Sequence, residues 1–196
     1  MVRKKGKDFF KIPNNTIKRI AFEYLSKAYK NFHKIDYYDH KLNQHIGRMA
    51  YDGDFKPAIE FIADVLNAHT GIRDFIEGEN TIKFFYLAIF FLNPTYTPLS
   101  ELEVNKGHAD LIAMPNFHYY PNMKYTYIME FKYISGKTKK KDLPEAINTK
   151  LTEAKEQLAQ YSKDTKLKNL LKIETKTIVI IFHKWKLVYC EEISLN

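Results

Sequence analysis

His108-Ala109-Asp110-Leu111-Ile112 and Tyr127-Ile128-Met129-Glu130-Phe131-Lys132 are the two stretches from which the rest of the chain is read. Each is an apolar run interrupted by charge. Side chains alternate between the faces of a strand, so Glu130 and Lys132 face one way while Met129, Phe131 and Tyr133 face the other, into a core. An acid and a base on such a strand are costly unless each has a partner. A divalent metal shared by Glu130 and Asp110 of the neighbouring strand would be one such partner.

Around these stretches the chain reads as a meander flanked by helices. Residues 99–104 alternate, with Leu102 and Val104 opposite Glu101 and Glu103, and Asn105-Lys106-Gly107 is a tight-turn signal. Residues 108–114 read as the return strand, and a loop bounded by Pro115 and Pro121 leads to a third strand over 124–134. Upstream, residues 78–92 are apolar almost all round (Ile82, Phe84, Phe85, Tyr86, Phe90), the pattern of a core helix buried on several sides. Asn93-Pro94 ends it. Downstream, Asp142-Leu143-Pro144-Glu145 signals a helix to about residue 162, with Ala154, Gln157, Leu158 and Tyr161 on one face. Strands are expected over 177–182, a buried central run, and over 186–193.

The leader is read as helical. Asn14-Asn15-Thr16 opens one helix; Leu42, Ile46, Met49 and Ala50 stripe a second; Phe55, Ile59, Ile62, Ala63 and Leu66 stripe a third behind Asp54. His33, His40 and His45 lack carboxylates at ligand spacing and read as surface or core histidines. The expected fold class is α/β, of the α+β type, with residues 1–75 as a helical extension and 76–196 as the core.

Composition narrows the function classes. The 196 residues hold 31 Lys and Arg against 23 Asp and Glu, a net charge of +8. Part of the excess follows a broad bias toward Lys, Ile, Asn, Tyr and Phe, but Lys4-Lys5-Lys7 and Lys137-Lys139-Lys140-Lys141 are local clusters, and such clusters attract phosphate backbones. No apolar run approaches the roughly 20 residues that span a bilayer, and no secretory leader follows the basic first residues, so a cytoplasmic protein without a membrane partner is expected. The single cysteine, Cys190, excludes an intramolecular disulfide and reads as a small strand residue.

Phosphodiester hydrolysis needs an activated water aimed in line at phosphorus and stabilisation of developing oxygen charge. Mg²⁺ prefers hard oxygen ligands and keeps several waters, so one or two carboxylates and a carbonyl suffice. Asp110, Glu130 and the main-chain carbonyl of Phe131 are the candidate ligands, for Mg²⁺ or alternatively Mn²⁺, and Lys132 is the candidate to orient or help deprotonate the water.

These residues resemble the PD-(D/E)XK nuclease superfamily. Asp110 stands where that family has its first signature acid, Glu130-Phe131-Lys132 matches the (D/E)-x-K, and Gln157-Leu158-Ala159-Gln160-Tyr161 matches the Gln-xxx-Tyr helix motif of its exonuclease-type members. The resemblance implies a restriction-endonuclease-like core of helix, three-strand meander, helix and strand. It also implies active-site roles for Gln157 and Tyr161, and a helix acid at Glu79 or the nearby Glu77. Gly107-His108-Ala109-Asp110-Leu111 is similar to the version at the C-terminus of bacterial AAA-ATPase-like proteins, and Phe10-Lys11-Ile12-Pro13-Asn14 to the segment joining their two halves. An ATPase partner or N-terminal half is implied, although no P-loop pattern occurs here. Ala109 replaces the family's usual Pro, and His108 stands where this subgroup usually has Arg.

The expected function is metal-dependent hydrolysis of nucleic acid, DNA foremost, with Lys137, Lys139, Lys140, Lys141 and His108 as the nucleic-acid contacts. Tyr119-Tyr120 is a further candidate contact or simply an exposed aromatic loop. Two other readings stay open: a nuclease-like domain that binds nucleic acid or a protein partner without cutting, and an interaction module whose basic charge is compositional.

Overall fold

The structure, a computed structural model, describes residues 2–4, 7–9, 40–68, 78–100, 102–104, 107–161 and 173–194. Its helices are α1 (His40–Asp52), α2 (Lys56–Ala68), α3 (Glu79–Leu92) and α4 (Leu143–Tyr161). Its strands are β1 (Val2–Lys4), β2 (Lys7–Phe9), β3 (Tyr96–Leu99), β4 (Leu102–Val104), β5 (Gly107–Ala109), β6 (Leu111–Pro115), β7 (Tyr125–Ile134), β8 (Glu174–His183) and β9 (Lys186–Glu192). The helix expected after Asn14-Asn15-Thr16, the resemblance at residues 10–14, and Glu77 all lie outside the described residues.

The organising strand is β7. It pairs antiparallel with β6 and parallel with β8, and the central sheet runs β3-β6-β7-β8-β9. A parallel neighbour requires a crossover, and α4, entered through a short 3-10 turn over Lys140–Asp142, lies between β7 and β8 in the chain. This is the expected order of helix, meander, helix and strand. The meander begins earlier than residues 99–104: Tyr96–Leu99 is the edge strand on β6, while Leu102–Val104 pairs separately with β5. Pro98 is tolerated in β3 because an edge strand has one side without a ladder to feed.

Period-2 alternation divides the sheet between two apolar clusters. Tyr127, Met129 and Phe131 of β7, with Ile178, Ile180 and Phe182 of β8, pack against α1, α2 and α3. Ile128 and Ile134, with Val179 and Ile181, pack against Ala154, Leu158 and Tyr161 of α4. The stripes expected on α1 and α2 are buried as read, and they share the core of the central sheet. On α3 one expectation fails. Phe84, taken as core, is 55% exposed, because the turn that aims Ile82, Phe85, Tyr86 and Ile89 at the sheet sends it the other way.

Two tyrosines tie elements of the first cluster together, Tyr127 joining β7 to α1 and Tyr86 joining α3 to α2. Tyr127 Oη donates to the Met49 carbonyl at 2.6 Å and Tyr86 Oη donates to the Ile59 carbonyl at 2.8 Å, both buried. Tyr127→Phe keeps the ring contacts but strips the Met49 carbonyl of that donor. It is expected to cost about 1–3 kcal/mol, read as a lower urea midpoint with an unchanged slope.

Candidate active site

The site forms where β6 parts from β7. The two strands pair from Ala113↔Tyr127 up to Leu111↔Met129, and the chain then bends at Asp110 between β5 and β6. The sequence suggested one continuous return strand; the bend turns the Asp110 side chain into a substitute for the next rung of the ladder. The Phe131 N–H donates to Asp110 Oδ2 at 2.8 Å. Within a strand, N–H and C=O of one residue leave on the same side, so the Phe131 carbonyl faces the edge that Asp110 occupies.

The other oxygen of Asp110 meets α3. Gly78 precedes that helix at φ 153°, a conformation almost confined to glycine, and makes Glu79 the first helical residue. Lys83 stands one turn later on the same side. Its Nζ lies 2.7 Å from Glu79 Oε1 and 2.6 Å from Asp110 Oδ1, bridging the two carboxylates. Burial pulls the Lys83 ammonium down, but its bonds to Asp110 and Glu79 outweigh that and hold it above the usual lysine value.

On the α4 side of β7, Glu130 and Lys132 fall between Ile128 and Ile134, in the rows that α4 covers. Both are buried: Glu130 is 1% exposed and Lys132 6%. Lys132 Nζ lies 2.6 Å from Glu130 Oε1, and Tyr161 Oη donates to Glu130 Oε2 at 3.3 Å. Burial, then the charge of Asp110, push the Glu130 carboxyl up to about 7 against the pull of Lys132 and Lys83. Burial and the same two carboxylates hold the Tyr161 phenol far above its ordinary value, so it remains a donor.

Two short networks therefore converge on adjacent residues of β7, Glu79–Lys83–Asp110 at the Phe131 amide and Lys132–Glu130–Tyr161. Asp110, Glu130, Lys132, Tyr161 and Glu79, all named from sequence, are brought together. Lys83 was missed; its one sequence signal is the Glu79-to-Lys83 spacing on a helix that otherwise reads as apolar. Gln157 is exposed on α4, one turn from the buried Tyr161. Lys137, Lys139, Lys140 and Lys141 are exposed just beyond β7. His108 lies in β5, its side chain outside the described ones. Tyr119, 65% exposed, belongs to the turn at the far end of β6 and β7, and the strand from Tyr125 to Glu130, a rise of about 17 Å, lies between that turn and the site.

Three carboxylates face two ammoniums here, leaving one negative charge in excess when all are ionised. Among the described residues no three His, Cys, Asp or Glu side chains group closely enough to hold a metal by themselves. A metal would therefore draw on two carboxylates and main-chain oxygen. Burial pushes the Cys190 thiol up to about 12, which leaves it inert as a nucleophile. Among the described residues no helix is long and apolar enough to cross a membrane.

A family model described as the PD-(D/E)XK nuclease superfamily matches residues 77–192. No curated protein and no solved structure matches the chain.

Proposed function

Since the chain belongs to the PD-(D/E)XK nuclease superfamily, we propose that it hydrolyses phosphodiester bonds of nucleic acid, DNA foremost, with a divalent metal held by Asp110, Glu130 and the Phe131 carbonyl. The observation that carries this reading is the convergence of Asp110 and Glu130 on adjacent positions of β7, close enough that the charge of Asp110 adds to burial in raising the Glu130 carboxyl. The donor set fits Mg²⁺, which takes hard oxygens, needs few from the protein, and would compensate the excess negative charge. When bound, the metal would supply Lewis acidity and neutralise charge developing on the phosphate.

The remaining roles belong to the chain's own groups. The Phe131 N–H and Lys83 aim Asp110 through both of its oxygens. Tyr161 and Lys132 do the same for Glu130. Lys132 Nζ is the donor that would orient the attacking water and shield negative charge on the phosphate, in a pocket dry enough to strengthen that interaction. Glu79 acts through Lys83 rather than directly. Gln157, exposed one turn from Tyr161, would meet the substrate rather than the metal. An ATPase partner or N-terminal half rests on the resemblance at residues 10–14 and 107–111 alone.

A second reading, a nuclease-like domain that binds without cutting, is favoured by one observation: all four carboxylate oxygens of Asp110 and Glu130 already have protein partners. The two are separated by incubating linear and circular DNA with Mg²⁺, Mn²⁺ or EDTA. Cutting that needs metal supports the nuclease, with the circular substrate dividing endo- from exo-attack. Salt-sensitive binding with no cutting under any metal supports the second reading.

Glu130 also sets a pH dependence. A ligand must be deprotonated, so the metal competes with the proton that Glu130 holds below about pH 7. Mn²⁺ affinity measured by calorimetry is expected to rise about tenfold per pH unit up to about pH 7 and then to level. An affinity that is flat across that range removes Glu130 from the ligand set.

A further inference from the structure

Beyond β7 the chain carries more positive charge in one place than the lysine run after that strand. Lys137, Lys139, Lys140 and Lys141 are exposed between β7 and α4, and Lys184 and Lys186 are exposed in the β8–β9 hairpin. The two segments are joined. The Lys184 N–H donates to the Ile134 carbonyl at 3.2 Å. The Lys184 side chain crosses Gly136 so closely that a Cβ there would come within 2.8 Å of Lys184 Cε. Trp185, next in the turn, is 7% exposed and packed into the first apolar cluster, which pins the hairpin and holds Lys184 at the surface. Asp142 and Glu145, at the start of α4, offset only part of the six lysines.

Lys184 is the one non-glycine among the described residues at positive φ, 56°. A side chain is strained there and glycine is not. Strain kept where a cheaper residue exists points to a use for the side chain.

We propose that Lys184 and Lys186 complete, with Lys137, Lys139, Lys140 and Lys141, a ridge that binds the phosphate backbone of the nucleic acid leading away from the Asp110–Glu130 site. From Glu130 to Ile134 the strand advances about 13 Å. One strand of B-DNA carries a phosphate about every 3.4 Å along the axis, so the ridge meets the backbone about four nucleotides from the cut. The location of the cut rests on the nuclease reading; the binding does not. Nucleic acid is favoured over an acidic protein because the charge is a run of lysines without the apolar anchors that protein interfaces use.

The test uses the whole protein in EDTA with a fluorescent 20-base-pair duplex, binding being followed against salt for the parent, Lys184→Gly and Lys184→Gly/Lys186→Ala. Each lysine that neutralises a phosphate contributes about 0.9 to the slope of log K against log salt. The double variant is therefore expected to lose about 1.8 in slope, and Lys184→Gly about half of that with a melting temperature equal to or above the parent's. An unchanged slope in the double variant overturns the ridge, as does a parent that binds no duplex. Metal-dependent cutting by a parent whose slope the variants leave unchanged would sink the ridge and keep the nuclease; a lost slope without cutting would keep the ridge and sink the nuclease.

Discussion

Asp110→Asn is expected to lower metal-dependent cleavage about 1,000-fold or more, which corresponds to roughly 4 kcal/mol of lost transition-state stabilisation. The substitution is chosen to spare the fold. An Asn carbonyl oxygen still accepts from the Phe131 N–H, so the bend between β5 and β6 keeps its anchor. What disappears is the negative charge that pairs with Lys83 and that the proposed mechanism gives to the metal. The Lys83–Asp110 pair is partly exposed on the lysine side, 24% against 11%, so its loss costs about 1 kcal/mol or less of stability. Cleavage by the variant within a few-fold of the parent would remove Asp110 from the site. Duplex binding in EDTA, retained in the variant, separates a lost ligand from a lost fold.

Lys132→Met has the second large effect, and it divides between chemistry and stability. On the proposed mechanism Lys132 orders the attacking water, so its removal is expected to slow cleavage about 10²- to 10⁴-fold while metal still binds. Stability responds through Glu130, which is 1% exposed and would lose the ammonium 2.6 Å away. Breaking such a buried pair costs about 3–5 kcal/mol when the surviving partner stays charged.

The pH dependence of that cost has a definite sign. The Glu130 carboxyl is raised from 4.5 to about 7 in the folded chain, so over that interval the folded state holds a proton that the unfolded state releases. Its contribution to stability is fully present below about 4.5 and is lost as pH rises through about 7. Lys132 pulls the carboxyl down, so without it the folded value climbs and the window extends upward. Thermal melts in EDTA should show variant and parent close together at the acid end and separated by several degrees above neutrality. An equal deficit at both ends would assign Lys132 a packing role in place of a charge role.

Much of this site is legible in the sequence because it is written in local periodicities. Alternation along residues 127–133 assigns Met129 and Phe131 to one face and Glu130 and Lys132 to the other, and the sheet obeys it. The stripes at Leu42, Ile46, Met49 and Ala50 and at Ile59, Ile62, Ala63 and Leu66 are helical spacings, and those side chains are buried. Phe84 shows the limit of the same signal: an apolar residue on an apolar helix carries no mark of which side the sheet will take.

Motif spacing named Asp110, Glu130, Lys132 and Tyr161, and residue type with strand alternation supplied the chemistry they are capable of. Period and residue type are properties of neighbours in the chain, and they survive any packing. Tertiary structure alone decided that the face carrying Glu130 and Lys132 is dry, because burial there comes from α4, more than twenty residues downstream for Leu158 and Tyr161. It alone decided that Lys83 reaches Asp110, that Tyr161 and not Gln157 reaches Glu130, and that Lys184 joins the lysines beyond β7. Each of these is a distance between residues far apart in sequence. Such distances, and the protonation state that burial imposes on Glu130, arise only when the apolar faces close on one another and exclude water from the charges between them.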